Sequence, residues 1–577
     1  MMVETLERIA LLLELKGENP FKVRAYRQGA EAVAAHAGEI VGLAAAGQLD
    51  GIPGLGEALR EKLHELATTG KLAFFDELRA EFPKTIFDLF EIPGLGPKKI
   101  AVLHRDLGVG NLAELKAACE SGAVAELPGF GEKTAKKILE GLAYREQNAG
   151  VFRMDEAAPG AAQVLAWIKA QWSVSRAEVG GSFRRGKEVV RDLDFVVATK
   201  HGEELLESLV GQPFVATVLA QGPTKASFRL ANGCQCDVRA VKDAEYATAL
   251  AYFTGNKEHN VAMRARALKR GWSLNEYRLQ GCPTPLHEEA DLYRALGLDY
   301  VPPELREDRG ELEAAEKGTL PKLVEHGQLK GTFHNHTTAS DGTATLEEMA
   351  AAARDLGLLY LGIADHSKSS FQASGLDEKR LRAQVATIAR MNDRFAEEAE
   401  TEGTFRLFAG SEVDILKDGS LDFADEVLAQ LDYAVASVHN AFSLPEAEMT
   451  RRIIRAVENP HITMLGHLTG RLLLRREPYA VDVPAVIDAC AATGTLIELN
   501  ANPWRLDMDW RWWPLAKEKG VKTSINPDAH STADLAFLWH GVRIARKGWL
   551  TKADVINTLP LGKIEAALAA KRQRGHS

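Results

Sequence analysis

GGSFRRGKEVVRDLDFVVAT, Gly180 to Thr199, is the stretch that decides the central architecture of this 577-residue chain. Its second half, DLDFVVAT, is rich in β-branched and aromatic residues and reads as a strand. Alternate residues of a strand share a face, so Asp192 and Asp194 project to the same side. Paired carboxylates repel, and the arrangement is costly unless a divalent cation lies between them. The first half is a glycine turn into a helix start, where Gly181 makes the turn tight. Backbone N–H groups, the Ser182 hydroxyl and Arg185 there suit the oxygens of a phosphate chain. A third carboxylate, Asp237, sits in CQCDVRAV with Gln235 and Arg239 on its face and Cys236 and Val238 on the other. Three carboxylates on neighbouring strands can hold two Mg²⁺ ions for phosphoryl transfer to a hydroxyl.

Upstream, one motif occurs three times: IPGLGEAL from Ile52, IPGLGPKK from Ile92 and LPGFGEKT from Leu127. The glycines (Gly54 and Gly56, Gly94 and Gly96, Gly129 and Gly131) permit positive φ and close approach of another backbone. Each opens a helix whose free N–H groups form an anion site. The motif resembles the helix-hairpin-helix, which grips DNA backbone phosphate without reading sequence. That suits a formal net charge of -10, because a chain without a broad positive field must hold a polyanion by local devices.

G-S-x-R-R-G followed by D-x-D resembles the signature of the family X DNA polymerases, and YFTGNKEHNVAMRARALKRGWSLNEY (Tyr252–Tyr277) resembles that family's thumb. The likeness covers roughly residues 1–305. It implies that Asp192, Asp194 and Asp237 bind Mg²⁺ or Mn²⁺, and that Ser182 and Arg185 contact triphosphate. Tyr252 and Phe253 would lie beside the sugar of the dNTP, Gly255 would belong to the nucleotide-binding set, and Asn260 and Arg264 would touch the nascent pair and template. Lys257 stands where animal members carry an acidic residue, so contacts to the base should differ. The N-terminal end resembles the family's deoxyribose-phosphate lyase domain. Lys62 matches its Schiff-base lysine and Lys22 and Tyr26 match its helpers, whereas Ala58 replaces a further lysine.

Beyond residue 330, seven β-like runs alternate with amphipathic helices, the pattern of a parallel β/α architecture. They are KGTFHNH, LYLGIADH, RLFAGSEVDI, YAVASVH, TMLGHL, TLIELNA and VKTSINPDAH. Ligand-type residues collect at their ends: His334, His336, Asp341, His366, Glu412, His439, His467, Asp528 and His530. Strand C-termini are where β/α barrels keep their sites. Mixed imidazole and carboxylate donors suit Mn²⁺, Zn²⁺ or Fe²⁺ better than Mg²⁺, and so large a set suits a cluster of two or three ions. H-x-H, S-D-G, A-D-H-S and P-D-A-H resemble the PHP (polymerase and histidinol phosphatase) family. That resemblance implies a distorted (β/α)₇ barrel with 3′→5′ exonuclease activity, and with endonuclease action at abasic sites. Arg471, Arg505 and ELNANPW are candidates for contact with substrate phosphate.

The fold class expected is multidomain α/β. A lyase-like helical domain spans 1–82, tandem hairpins 83–150, an α+β nucleotidyltransferase palm 151–242 and a helical thumb 243–305. A charged connector covers 306–330, leaving a separable barrel over 331–577. The five cysteines are odd in number and lack zinc-finger spacing, which fits a reducing cytoplasm. No run approaches the roughly 20 apolar residues of a membrane span. The partners expected are gapped or primed DNA, its 3′ ends, abasic-site ends and dNTP, with the protein a monomer. Two other readings are a small-molecule phosphoesterase with a vestigial polymerase half, and a non-catalytic DNA-end bridging protein.

Overall fold

The computed structural model describes residues 2–35, 40–52, 54–92, 94–402 and 405–574; the hairpin prolines Pro53 and Pro93 lie outside them. The chain forms two compact units, Met1–Ala149 with Leu474–Arg476, and Gly150–Leu473 with Glu477–Ser577.

The first unit is helical. Helix Met2–Leu15 buries Leu6, Ile9, Leu12 and Leu13, a stripe at helical spacing that seeds a core shared with Leu63, Leu89, Ile100, Leu103, Leu115 and Ile138. In the hairpins Gly54, Gly94 and Gly129 have φ of 85°, 82° and 84°, the left-handed region glycine enters without penalty. Gly56 caps helix Glu57–Thr69 and Gly96 caps helix Pro97–Leu107, both with extended backbone. The third copy differs: Gly131 is also left-handed at 72° and is itself the first residue of helix Gly131–Gln147.

The second unit begins with a five-stranded sheet. Its strands are β1 (Val174–Val179), β2 (Asp192–Thr199), β3 (Val215–Gln221), β4 (Lys225–Leu230) and β5 (Gln235–Val241), ordered β1-β2-β5-β4-β3. The pair β2/β5 is parallel and sets Asp194 opposite Asp237 and Asp192 opposite Gln235. The alternating Leu193, Phe195, Cys236 and Val238 are buried, against helix Met154–Lys169 among others. The sequence reading passed over β3, whose residues are mostly exposed at the sheet's edge.

Helices Tyr246–Thr254, Lys257–Lys269 and Glu289–Ala295 follow. The stretch 306–330, expected as a connector, carries helix Glu311–Lys317. Its Leu312 and Ala315 pack with Met263, Leu292, Tyr293 and Val301. Its charges are spent inside the fold: buried Glu311 faces His259 Nδ1 at 2.7 Å, and Arg306 Nη1 donates to Glu289 Oε1 at 2.8 Å. A charge run therefore looks solvated in sequence while its members are neutralised in the interior by partners from other segments.

The C-terminal strands are β6 (Gly331–Thr332), β7 (Tyr360–Ile363) and β8 (Arg406–Ala409) in one parallel sheet. A second parallel sheet holds β9 (Glu412–Asp414), β10 (Val435–Ser437), β11 (Met464–Leu465), β12 (Leu496–Asn500) and β13 (Thr523–Asn526). RLFAGSEVDI, expected as one strand, breaks into β8 and β9 at Gly410-Ser411. Single parallel bridges, His366 to Glu412 and Asn335 to Ala529, join the sheets at their two seams. Side chains complete the second seam: Asn557 Nδ2 donates to the carbonyls of Gly331 and Ile525 at 3.0 and 2.8 Å. The two parallel sheets stand where the distorted barrel was expected, and no continuous strand ladder closes them into one among the described residues. This part is not set apart from the palm, because one apolar cluster runs through both and the Arg153 guanidinium lies 3.3 Å from the centre of the Trp504 ring.

Candidate active sites

At the palm, the β2/β5 register brings Asp192, Asp194 and Asp237 onto one half-buried face. Burial and the neighbouring carboxylates push Asp194 up to about 7, and Asp192 upward as well. Burial also works against ionised Asp237, but hydrogen bonds from Lys225, Ser227 and Gln235 outweigh it and hold that carboxyl below its usual value. Lys225 Nζ is 2.8 Å from Asp237 Oδ1 and Gln235 Nε2 donates to Oδ2 at 2.9 Å. Such mutual repulsion is what divalent cations relieve, so the donor set fits them.

The glycine turn is locked against this face. Gly180 N donates to Asp194 O at 2.7 Å. Gly181 has φ of 60°, and a Cβ there would lie 2.2 Å from Asp194 Oδ2; only glycine fits. Arg185 Nε donates to Glu307 Oε1 at 3.0 Å and Nη1 to Thr254 O at 2.6 Å, which leaves Nη2 for a ligand among the described residues. Ser182 is half-buried within the turn. Tyr252 and Phe253 form an edge-on pair 5.2 Å apart. Asn260 Nδ2 donates to Tyr252 O at 2.7 Å, Arg264 lies 5.8 Å from the Tyr252 ring, and Gly255 is left-handed at 69° beside Arg185.

In the barrel, all nine expected ligand residues converge. They form overlapping groups whose ligand atoms lie within 4.8 Å of one another: His336, Asp341, His366 and His530; His334, His467 and Asp528; His334, His336 and Glu412; His366, Glu412 and His439. Glu412 is the hub. Its oxygens lie 3.2 Å from His334 Nε2, 2.8 Å from His366 Nδ1, 3.2 Å from His439 Nε2 and 2.9 Å from His467 Nε2. Asp528 Oδ1 is 3.3 Å from His336 Nε2. His334 Nε2 and both nitrogens of His336 are buried without a hydrogen bond. Buried lone pairs left unpaired around shared carboxylates fit metal ligation.

Two carboxylates behind this site lie outside the expected ligand set: Glu498, which ELNANPW offered for contact with substrate phosphate, and Asp414. Glu498, wholly buried, accepts from His334 Nδ1 at 2.6 Å, His467 N at 2.9 Å and Asn526 Nδ2 at 2.9 Å. Asp414 accepts from His439 Nδ1, Ser369 and Ser370. Such carboxylates fix the ring and tautomer of a ligating histidine. The signal for Glu498 was a lone charge in the apolar strand LIELN. Arg471 is not free for substrate: it is buried, 2.8 Å from Asp509 and 3.4 Å from Glu188. Arg505 does lie by the cluster, its Nε 3.4 Å from Asp528 Oδ2.

In the helical unit Lys62, Lys22 and Tyr26 gather on Phe74. The lysine nitrogens lie 5.1 and 5.7 Å from its ring centre, and Tyr26 stacks at 5.9 Å with 8° between planes. Burial pushes the Tyr26 hydroxyl up to about 12. Phe74 itself was not anticipated.

Family models match along the chain: a helix-hairpin-helix domain over 2–72, a SAM-like helix-hairpin-helix tandem over 86–143, the DNA polymerase beta thumb over 249–307 and the PHP domain over 332–502. Across nearly the whole length, the chain is 37% identical over 573 residues to the DNA polymerase/3′-5′ exonuclease PolX of Bacillus subtilis (strain 168), covering 98% of each. The chain belongs to the PolX family. Its kind is therefore a family X DNA polymerase carrying a PHP domain, an enzyme class that works with divalent metal ions. The PolX barrel has relatives of its own. A probable phosphatase of Thermoanaerobacter sp. (strain X514) is 26% identical over 252 residues, 42% of this chain and 95% of that protein. Another, from Caldanaerobacter subterraneus subsp. tengcongensis, is 25% identical over 252 residues, covering 91% of its length. Among the described residues no helix of this PolX is long and apolar enough to cross a membrane.

Proposed function

We propose that this PolX is a DNA-repair enzyme that extends 3′ ends from dNTP at the palm and trims 3′ ends at the barrel. The observation that carries the reading is that one chain holds two separate and complete ligand sets, the carboxylate triad and the nine-residue cluster. Asp192, Asp194 and Asp237 would hold Mg²⁺ or Mn²⁺. His334, His336, Asp341, His366, Glu412, His439, His467, Asp528 and His530 would hold two or three Mn²⁺ or Zn²⁺ ions, Fe²⁺ being equally compatible. Bound ions supply Lewis acidity toward phosphate oxygens and lower the pKa of water.

The chain's own groups do the rest. Ser182 and Arg185 bind the triphosphate, with Gly255 in the same nucleotide site beside Arg185; Tyr252 and Phe253 bound the sugar; Asn260 and Arg264 meet the nascent pair and template strand. Glu498 and Asp414 hold His334 and His439 in orientation. Arg505 is placed to meet a substrate phosphate beside Asp528. The left-handed φ of Gly94, Gly129 and Gly131 accounts for glycine there, but at Gly56 and Gly96, where φ is -67° and -89°, a Cβ would meet nothing within 4 Å, so neither conformation nor internal packing explains glycine. Close approach of DNA phosphate to the hairpin backbone does. Gap filling, end joining, incision at abasic sites and Lys62-based removal of deoxyribose phosphate, with Lys22 and Tyr26 assisting, complete the repertoire. The probable-phosphatase relatives favour a second reading, phosphoesterase action with a vestigial polymerase half; the intact palm triad opposes it.

The test is a paired assay of extension and degradation on one gapped, 3′-labelled DNA with Mg²⁺ or Mn²⁺. Asp192→Ala with Asp194→Ala should end extension and spare degradation. His334→Ala, His336→Ala and Asp528→Ala should each do the reverse. Both activities dying together in these variants would overturn the two-site reading.

A further inference from the structure

The glycine turn that enters the polymerase site is held from behind by the barrel. The turn is a short helix, Gly181–Arg184, followed by Arg185; Phe183 O already accepts from Gly186 N at 3.0 Å, and carbonyls at such a helix end take further donors. Two come from helix Leu538–Lys547 of the PHP part. Arg543 Nη2 donates to Phe183 O, and Lys547 Nζ donates to Arg185 O at 2.9 Å.

Lys547 has no solvent exposure. The same ammonium lies 2.6 Å from Glu307 Oε1, the oxygen that also accepts from Arg185 Nε at 3.0 Å. Lys187 reaches the other oxygen of Glu307 at 3.4 Å. One buried carboxylate thus balances Arg185 against a lysine from the other enzyme half. Farther along the loop, Glu188 meets Arg471 of the PHP part at 3.4 Å.

We propose that Lys547 and Arg543 are positioning residues for the triphosphate-binding turn, so that the PHP part sets the polymerase's affinity for dNTP. This rests on the reading of Arg185 as a triphosphate contact. Without Lys547, Glu307 loses a cation and draws on Arg185 and Lys187 alone, and the Arg185 carbonyl loses the ammonium that donates to it. Both changes move the guanidinium that must meet the incoming phosphates. Removing one partner of a buried charge network is the costly change, because the remaining charges stay buried.

The test uses the full chain with Lys547→Met, which keeps the aliphatic stem and removes the charge, Lys547→Arg, and Arg543→Met as an independent variant. Single-nucleotide gap filling is measured against dNTP concentration. The expected result is a KM for dNTP raised by about ten- to a hundred-fold in Lys547→Met. Its kcat should change far less, its 3′→5′ degradation should keep the wild-type rate, and Lys547→Arg should recover most of the loss. Arg543→Met should shift KM the same way. Arg185→Ala is run alongside. If it raises KM while Lys547→Met and Arg543→Met leave KM unchanged, the positioning role is refuted and the triphosphate reading stands. If Arg185→Ala leaves KM unchanged, that reading fails and the inference falls with it. A loss of degradation in step with extension would mark the lysine as a general structural support and overturn the proposal equally.

Discussion

Gly181→Ala should disable synthesis while leaving trimming intact. A Cβ at this position would lie 2.2 Å from Asp194 Oδ2 and 3.2 Å from its Cγ. Ordinary carbon–oxygen contacts begin near roughly 3.3 Å, so the carboxylate or the turn must retreat by about 1 Å. The left-handed φ of 60° adds about 1–2 kcal/mol for a side-chain-bearing residue. A displacement of about 1 Å at a reacting group can cost on the order of a hundred-fold in rate. That corresponds to about 2.7 kcal/mol of barrier. The expected outcome is a fall of this size in single-turnover insertion, with a small loss of thermal stability and no change in degradation. The assay is one-nucleotide insertion in the His334→Ala background, where trimming does not erase product. Wild-type insertion by Gly181→Ala would refute the reasoning, because the turn and Asp194 could not then be locked together as the geometry has them.

Three other outcomes follow from particular contacts. Glu498→Gln places an amide where four donors now converge on a carboxylate, so metal affinity or degradation rate should drop by about 10–100-fold, read by metal titration and exonuclease assay. If Lys62 is the Schiff-base nucleophile, borohydride should trap the protein on DNA bearing a 5′-deoxyribose phosphate, and trapping undiminished in Lys62→Ala would place the chemistry elsewhere. The third concerns acid. Burial alone would raise Glu289, but Arg306 and Arg184 hold it at about 2 against an ordinary 4.5. A depressed carboxylate gives stability that is full above the unfolded value and lost as pH falls through the folded one. The unfolding free energy obtained from denaturant curves should therefore drop between pH 4.5 and 2 by about 3 kcal/mol, and Glu289→Gln should lack that component; an identical pH profile in the variant would exclude Glu289 as its source.

The local chemistry of this PolX was fixed by residues close together in sequence. Asp192 and Asp194 share a face because strand periodicity is two, and DLDFVVAT can form little but a strand. The hairpin glycines carry their own φ requirement. The nine metal-ligand candidates stand at strand ends, where alternation alone aims them at one end of a barrel. Other features depend on partners from different elements of the fold, which no local pattern encodes. Glu498 becomes a partner of His334 only when β12 and the segment after β6 meet across the barrel. Phe74 becomes the floor beneath Lys22 and Lys62 only when three helices pack. The stretch 306–330 looked like a solvated link because its charges are visible in sequence and their neutralisation by His259, Glu289, Arg185 and Lys547 is not. For the same reason the barrel looked separable. A buried ion pair such as Glu307–Lys547 has no periodicity, and its distant members are brought together only by the packed core that also excludes water from them.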